Sequence, residues 1–175
     1  NDPLPVRLGL MNDTAAIQSL LQYSDNMNRL VFGAAAKLAE TKWGQPIDIG
    51  LGSLGRILLH IYHGELVWLA RWEGKSETAW PPEDSPEHPG KVLTMLEQLW
   101  PRRDAFIRSI MPADLGIMQT YRDSRGSLFK AMLRDLILQG VIHSTHHRAQ
   151  AVNAIKRLGG EALEMDYMAS VRQPA

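Results

Sequence analysis

The sequence predicts an all-α chain folded as a four-helix bundle, with a long connection between the third and fourth helices that includes a short extended segment or hairpin. Two observations carry this. Apolar residues recur at three- and four-residue spacing in four separate stretches. The segments between them are rich in Pro and Gly, which break helices. Length bounds the result, because 175 residues fit one domain with a sizeable core. Residues 13–175 form that domain, behind an irregular lead-in over residues 1–12 that carries Pro3 and Pro5. No repeat of solenoid type interrupts it.

Taken in order, Asn12, Asp13 and Thr14 offer N-cap oxygens for a first helix. Ile17, Leu20, Leu21, Ser24, Asn28, Val31, Ala35 and Leu38 then keep helical spacing to about Glu40. Asn28 sits inside that stripe and needs a hydrogen-bond partner if buried. Gly44, Pro46 and Gly50 make the next segment a loop. Ser53 caps a second helix that runs to Trp72, with Leu54, Ile57, Leu58, Ile61, Trp68, Leu69 and Trp72 on its apolar side. Glu65 lies within this side and His60 at its edge, whereas His63 points nearly opposite and is expected on the surface or at a second interface.

Glu73–Pro89 is a loop of Pro, Gly, Ser and acidic residues, near the upper length for a connection without a role of its own. Trp80, followed by Pro81 and Pro82, fits either a lid over the bundle end or the anchoring aromatic of a solvated linker. The third helix, from about Lys91 to Ile110, uses Val92, Leu96, Leu99, Phe106, Ile107 and Ile110 as its core side. Pro101 predicts a kink or break there. Alternation around Thr120–Arg122 and the following Asp-Ser-Arg-Gly run suggest the hairpin. A last helix over residues 128–158 ends at Gly159 and Gly160, and the tail supplies Leu163, Met165, Tyr167 and Met168 to lie against the bundle.

Composition excludes several function classes. Formal net charge is zero, so no electrostatic footprint for nucleic acid or an anionic membrane exists. With no cysteine, disulfides, Cys-zinc sites and a cysteine nucleophile are all ruled out. The most apolar long segment, Leu51–Trp72, is interrupted by Arg56, His60, His63, Glu65 and Arg71, which argues against a membrane span. A cytoplasmic protein is the expectation.

Chemistry concentrates in the last helix. Projection at about 100° per residue puts Phe129, Leu133, Leu136, Gly140, Ala151, Ala154 and Leu158 on one stripe, with His143 and His147 inside it one turn apart. His146 and Gln150 fall towards its flank. Two readings are open for the pair: core histidines bonded to buried partners, or a bidentate metal grip, since side chains four apart point the same way. A di-iron carboxylate site is excluded, because it needs paired Glu-x-x-His motifs and the chain has none. Adding His60 from the second helix gives three imidazoles, a donor set suited to Zn²⁺, Ni²⁺ or another borderline divalent ion with a position left open. Glu65 could orient a histidine N–H or hold an arginine, or it could be a partly exposed helix carboxylate.

Together, GSLGRILLHIYHGELVWL over Gly52–Leu69 and HSTHHRAQ over His143–Gln150 resemble the DinB/YfiT-like superfamily. The resemblance covers nearly the whole chain. It implies a four-helix bundle whose metal ligands are His60, His143 and His147. Its usual HRGQ reads His147–Arg148–Ala149–Gln150 here, a change that leaves the ligands in place. By the same resemblance the chain would use one divalent ion, Zn or Ni, to activate a low-molecular-weight thiol such as bacillithiol, mycothiol or glutathione, and would form a homodimer. Arg148, on the helix flank, could then offer charge to the thiol's carboxylates, or form a surface or dimer salt bridge. The competing readings are a metal-dependent hydrolase with Glu65 as the base near the metal, and a non-catalytic metal-binding or partner-binding bundle.

Overall fold

The computed structural model describes residues 14–75, 79–82 and 88–173. The lead-in over residues 1–12 and the Asn12–Asp13 cap therefore lie outside the described residues. Helix α1 (Thr14–Ala36) is followed by a 3₁₀ turn (Glu40–Lys42), then α2 (Leu54–Trp72), α3 (Pro89–Ser109) and a second 3₁₀ turn (Pro112–Gly116). Strands β1 (Met118–Arg122) and β2 (Leu128–Met132) lead into α4 (Leu133–Arg157) and a short α5 (Tyr167–Val171). The four long helices form a bundle in which α2 packs against both α3 and α4. No helix among the described residues is long and apolar enough to cross a membrane.

Local chemistry explains the boundaries. Helix α1 stops at Ala36, short of the expected Glu40, because its final turn tightens and Trp43 folds back so that its indole Nε1 donates to Ala35 O at 3.1 Å. Ser53 caps α2 as expected, accepting from Arg56 N. Pro101 neither breaks nor ends α3, which continues from Pro89 to Ser109. Pro101 and Glu97, whose carbonyl the missing N–H would have met, are both exposed, so water can satisfy the freed acceptor.

The hairpin is present and antiparallel, pairing Met118 with Met132 and Tyr121 with Phe129. Asp123 Oδ1 accepts from the N–H groups of Arg125 and Ser127 at 2.9 Å each, and Gly126 takes φ +82° to close the turn. This corrects the start of the last helix. Residues 128–132 are strand, and Phe129, assigned to the core stripe, is about half exposed. Cross-strand pairing won over the helical pattern because Ser127, which stands where an N-cap would, is held in the hairpin turn by two bonds with Asp123. At the other end Gly159, at φ +90°, and Gly160, whose N–H bonds Ile155 O at 2.8 Å, stop α4. In the tail, Leu163 and Met165 pack on the core, and Tyr23 Oη donates to Met165 O at 2.6 Å.

A second correction concerns His63, which is buried and not on the surface. Helix α2 is covered on nearly every side, so dividing it into one apolar and one solvent face does not apply. Its apolar surplus is used inside the chain. Close approach of α2 to α4 depends on Gly140, where a Cβ would meet Trp72 Cζ2 at 2.7 Å.

The core is split in two. One cluster gathers Val31, Phe32, Leu54, Ile57, Leu58, Ile61, Val92, Leu96 and Ile155; the other gathers Ile17, Leu21, Trp68, Leu69, Trp72, Leu99, Leu133 and Leu136. Between them, along every long helix, lies a buried polar layer of Ser24, Asp25, Asn28, Glu65, Arg103, Ser144 and Arg148.

Alanine at Gly140 would gain about 1 kcal/mol of helix propensity, but the indole it meets is buried and tied to Leu136 O at 2.9 Å. Overpacking of that kind costs about 1–3 kcal/mol. Gly140→Ala is therefore expected to lower the urea midpoint. Gly33→Ala, at an exposed position with no atom within 4 Å of the new Cβ, is expected to raise it.

Candidate metal centre

His60 projects from α2, and His143 and His147 project from α4 one turn apart. The three rings meet: centroids are 4.2 Å apart for His60 and His147, 4.5 Å for His143 and His147, and 5.0 Å for His60 and His143. One nitrogen from each lies within 4.8 Å of the others, a group able to hold a metal ion. His143 Nε2 and His60 Nε2 are 3.2 Å apart. Two nitrogens each about 2.0–2.1 Å from a tetrahedral Zn²⁺ would be about 3.3 Å apart, so the spacing suits ligation. An N–H···N bond could span the same gap; the third imidazole beside the pair is what favours a shared cation.

Neighbouring groups prepare these donors. His147 Nδ1 donates to Gln150 Oε1 at 2.9 Å, which places the lone pair on Nε2, and Gln150 Nε2 in turn donates to His146 Nε2 at 3.0 Å. Gly50, at φ +53°, lets the loop before α2 close over this amide, since a Cβ there would sit 2.5 Å from Gln150 Oε1. Gly64 makes room for the His143 ring, where a Cβ would come within 2.5 Å of Cε1. Burial, with the adjacent His147 and His60 adding to it, pushes His143 down to about 3. Its imidazole is neutral at any physiological pH, as a ligand must be. Trp80 lies against two of the three rings, 4.6 Å from His60 and 5.7 Å from His143 between centroids. Of its loop, residues 76–78 and 83–87 lie outside the described residues.

The buried stripe of α4 is rotated relative to the sequence projection. Ser144 and Arg148 occupy its centre, each about 1 % exposed, while His143 and His147 are half-buried at its edge. This corrects the expectation that Arg148 sits on a flank ready for a ligand or a surface salt bridge. Its Nη1 donates to Ser24 Oγ at 2.6 Å and Asn28 Oδ1 at 3.1 Å, and Nη2 donates to Thr145 Oγ1 at 2.9 Å. A guanidinium in the line Gly140, Ser144, Arg148, Ala151 reaches across to α1 because those two polar partners await it there.

Glu65 is also committed inward. Oε1 accepts from Asn28 Nδ2 at 2.7 Å, Oε2 accepts from Trp100 Nε1 at 2.9 Å, and Arg103 Nη1 stands 3.7 Å from Oε2. Of the roles weighed for it, the one with a visible partner is holding an arginine. Burial raises its pKa, with the positive charge of Arg103 acting the other way. Arg103 completes the layer with two bonds to Asp25, at 2.6 and 2.7 Å. Burial alone would lower the Arg103 pKa, but the Asp25 bonds and charge outweigh it and raise it. Two guanidiniums and two carboxylates thus balance within the core.

Removing one member leaves the others buried and uncompensated, which costs about 3–5 kcal/mol for a buried ion pair. Glu65→Gln is expected to lower unfolding free energy by about that order in urea titrations, and Arg148→Met, which strands the polar groups of Ser24 and Asn28, by about 1–3 kcal/mol. The metal-free protein is also pH-sensitive in a defined direction. His143 stays neutral in the fold but protonates near 6.5 once unfolded, so the unfolded chain binds the extra proton between about pH 3 and 6.5. Stability is therefore lost as pH falls through that window, and a His143→Gln variant should lose less between pH 7 and 4.5.

The DinB family model matches residues 11–174. Among solved structures the fold resembles that of a DinB-like protein from Bacillus cereus ATCC 10987, with a TM-score of 0.66 at 18 % identity over 86 % of this chain and 95 % of that one. No curated protein matches the sequence. The family match takes in all four long helices and the three histidines, so the chain belongs to the DinB family.

Proposed function

We propose that this chain is a divalent-metal-dependent transferase that activates a low-molecular-weight thiol, with His60, His143 and His147 as the metal ligands. The observation that carries the reading is the meeting of three imidazoles from two helices, with no fourth His, Asp or Glu in the group among the described residues. Three neutral donors leave a coordination position for an exogenous ligand. A bound Zn²⁺ or Ni²⁺ supplies positive charge there, which favours the thiolate form of a thiol near neutral pH. The sulfur has to come from outside, since the chain contains no cysteine.

The chain's own residues have three tasks in this scheme. Gln150 holds the tautomer and ring orientation of His147, the loop at Gly50 holds Gln150, and Trp80 shelters the histidine rings from water. The hydrolase alternative is weaker because its candidate base, Glu65, already accepts from Asn28 and Trp100 and faces Arg103.

Metal analysis of the purified protein is expected to give about one divalent ion per chain, lost in His143→Ala and in His147→Ala. Full occupancy in those variants would remove the basis of the assignment. With the metal in place, a panel of thiols and monochlorobimane should give metal-dependent conjugate. Ester or amide hydrolysis without thiol dependence would favour the hydrolase instead.

A further inference from the structure

Buried side-chain nitrogens that lack an acceptor include Arg71 Nε, Trp68 Nε1 and His143 Nδ1. Polar groups buried without partners are rare in folded proteins, and each calls for a cause. These three lie close in the structure. The Arg71 guanidinium stacks over the Trp68 ring, 4.4 Å from its centroid, and lies 5.3 Å from that of Tyr121. The His143 ring sits against Gly64, one helical turn before Trp68.

Arg71 is the most costly of the set. It is 5 % exposed, yet no carboxylate among the described residues forms an ion pair with it, and Asp123 attracts it only from beyond that range. Its guanidinium hydrogen bond goes to a neutral acceptor, from Nη2 to Arg122 O at 2.8 Å. The contrast with Arg103 is direct, because that residue is equally little exposed but its guanidinium holds Asp25 through two bonds. Burying a guanidinium without an anion is unfavourable, and aromatic stacking returns only part of that cost. Placement ties Arg71 to the histidines. Positions 60, 64 and 71 fall within about 40° on α2, and helix side chains lean towards the N-terminus, so Arg71 leans towards Gly64 and the His143 ring above it.

We infer that Arg71, with the Trp68 indole N–H beside it, is an anion anchor that takes a carboxylate of the ligand whose other end meets the three histidines. The identity of that ligand as a thiol rests on the function proposed above; the anchor itself does not. A carboxylate at this position would supply the acceptor that Arg71 Nε and Trp68 Nε1 lack, and it would neutralise a buried charge in the same step. This assigns to Arg71 the recognition role that sequence alone offered to Arg148. A purely structural Arg71, clamping the hairpin to α2 through Arg122 O, would bind no anion.

Side-chain nitrogen NMR on the full metal-free chain reads this directly. Acetate, titrated against chloride at constant ionic strength, is expected to give saturable shifts of the Arg71 Nε–H and Trp68 Nε1–H signals. Arg71→Met should abolish the Trp68 shift, and Arg71→Lys, which keeps charge but not the planar fork, should weaken it at least tenfold. Glutathione should bind at least tenfold more tightly than its diethyl ester. The anchor is refuted if neither wild-type signal moves, if Arg71→Met binds acetate unchanged, or if acid and ester bind equally. Shifts in a chain that takes up no metal would support the anchor while overturning the thiol proposal; metal uptake without shifts would do the reverse.

Discussion

The structure depends on the buried polar layer that crosses the middle of the bundle. Each long helix contributes to it: Ser24, Asp25 and Asn28 from α1, Glu65 from α2, Trp100 and Arg103 from α3, and Arg148 from α4. Apolar packing alone tolerates sliding of one helix along another, since many Leu and Ile contacts are nearly equivalent. Charge-assisted bonds are not equivalent, being worth about 1.5–3 kcal/mol when made and costing more when one partner is stranded. A shift of one turn between any two helices would separate Arg148 from Asn28, or Glu65 from Trp100, and leave charges buried without partners. The layer thus sets the axial register of the four helices, with an apolar cluster on either side of it.

The histidine cluster inherits this register. Glu65 follows Gly64, where the His143 ring rests, and Arg148 follows His147 in the chain. Fixing Glu65 and Arg148 from the inside therefore fixes, one residue away, the donors that face outward. Rigid positioning of this kind is what a site of three imidazoles needs, because ligand nitrogens must stay within a few tenths of an ångström to share one ion. Division of labour follows. Asp25, Glu65, Arg103 and Arg148 are turned into the core, and the half-buried edge of α4 carries His143 and His147.

Much of this was legible in the sequence. The four helical periods, the Ser53 cap, the Gly159–Gly160 stop and the hairpin all followed from local rules, and His60, His143 and His147 do meet. The polar layer was only partly legible. Asn28 in an apolar stripe signals a buried partner, and Arg103, four residues from both Leu99 and Ile107, carries the same signal. Arg148 was placed on a flank because hydrophobic projection discounts polar residues, so Ser144 and Arg148 at the centre of the buried face shifted the computed stripe towards the histidines. His63 failed for a related reason, since a helix covered on all sides has no outward face to assign. Arg71 gave no signal beyond interrupting an apolar run, because sequence does not show that no carboxylate among the described residues pairs with it.

Whether three histidines of this chain share one ion is tested most directly by X-ray absorption at the metal edge of Zn- or Ni-loaded protein. The account predicts scattering from three imidazoles with light-atom ligands completing the shell, and, on adding a low-molecular-weight thiol, one new sulfur at about 2.3 Å for Zn²⁺. Two or fewer imidazoles would contradict the assignment of His60, His143 and His147 as a single metal centre.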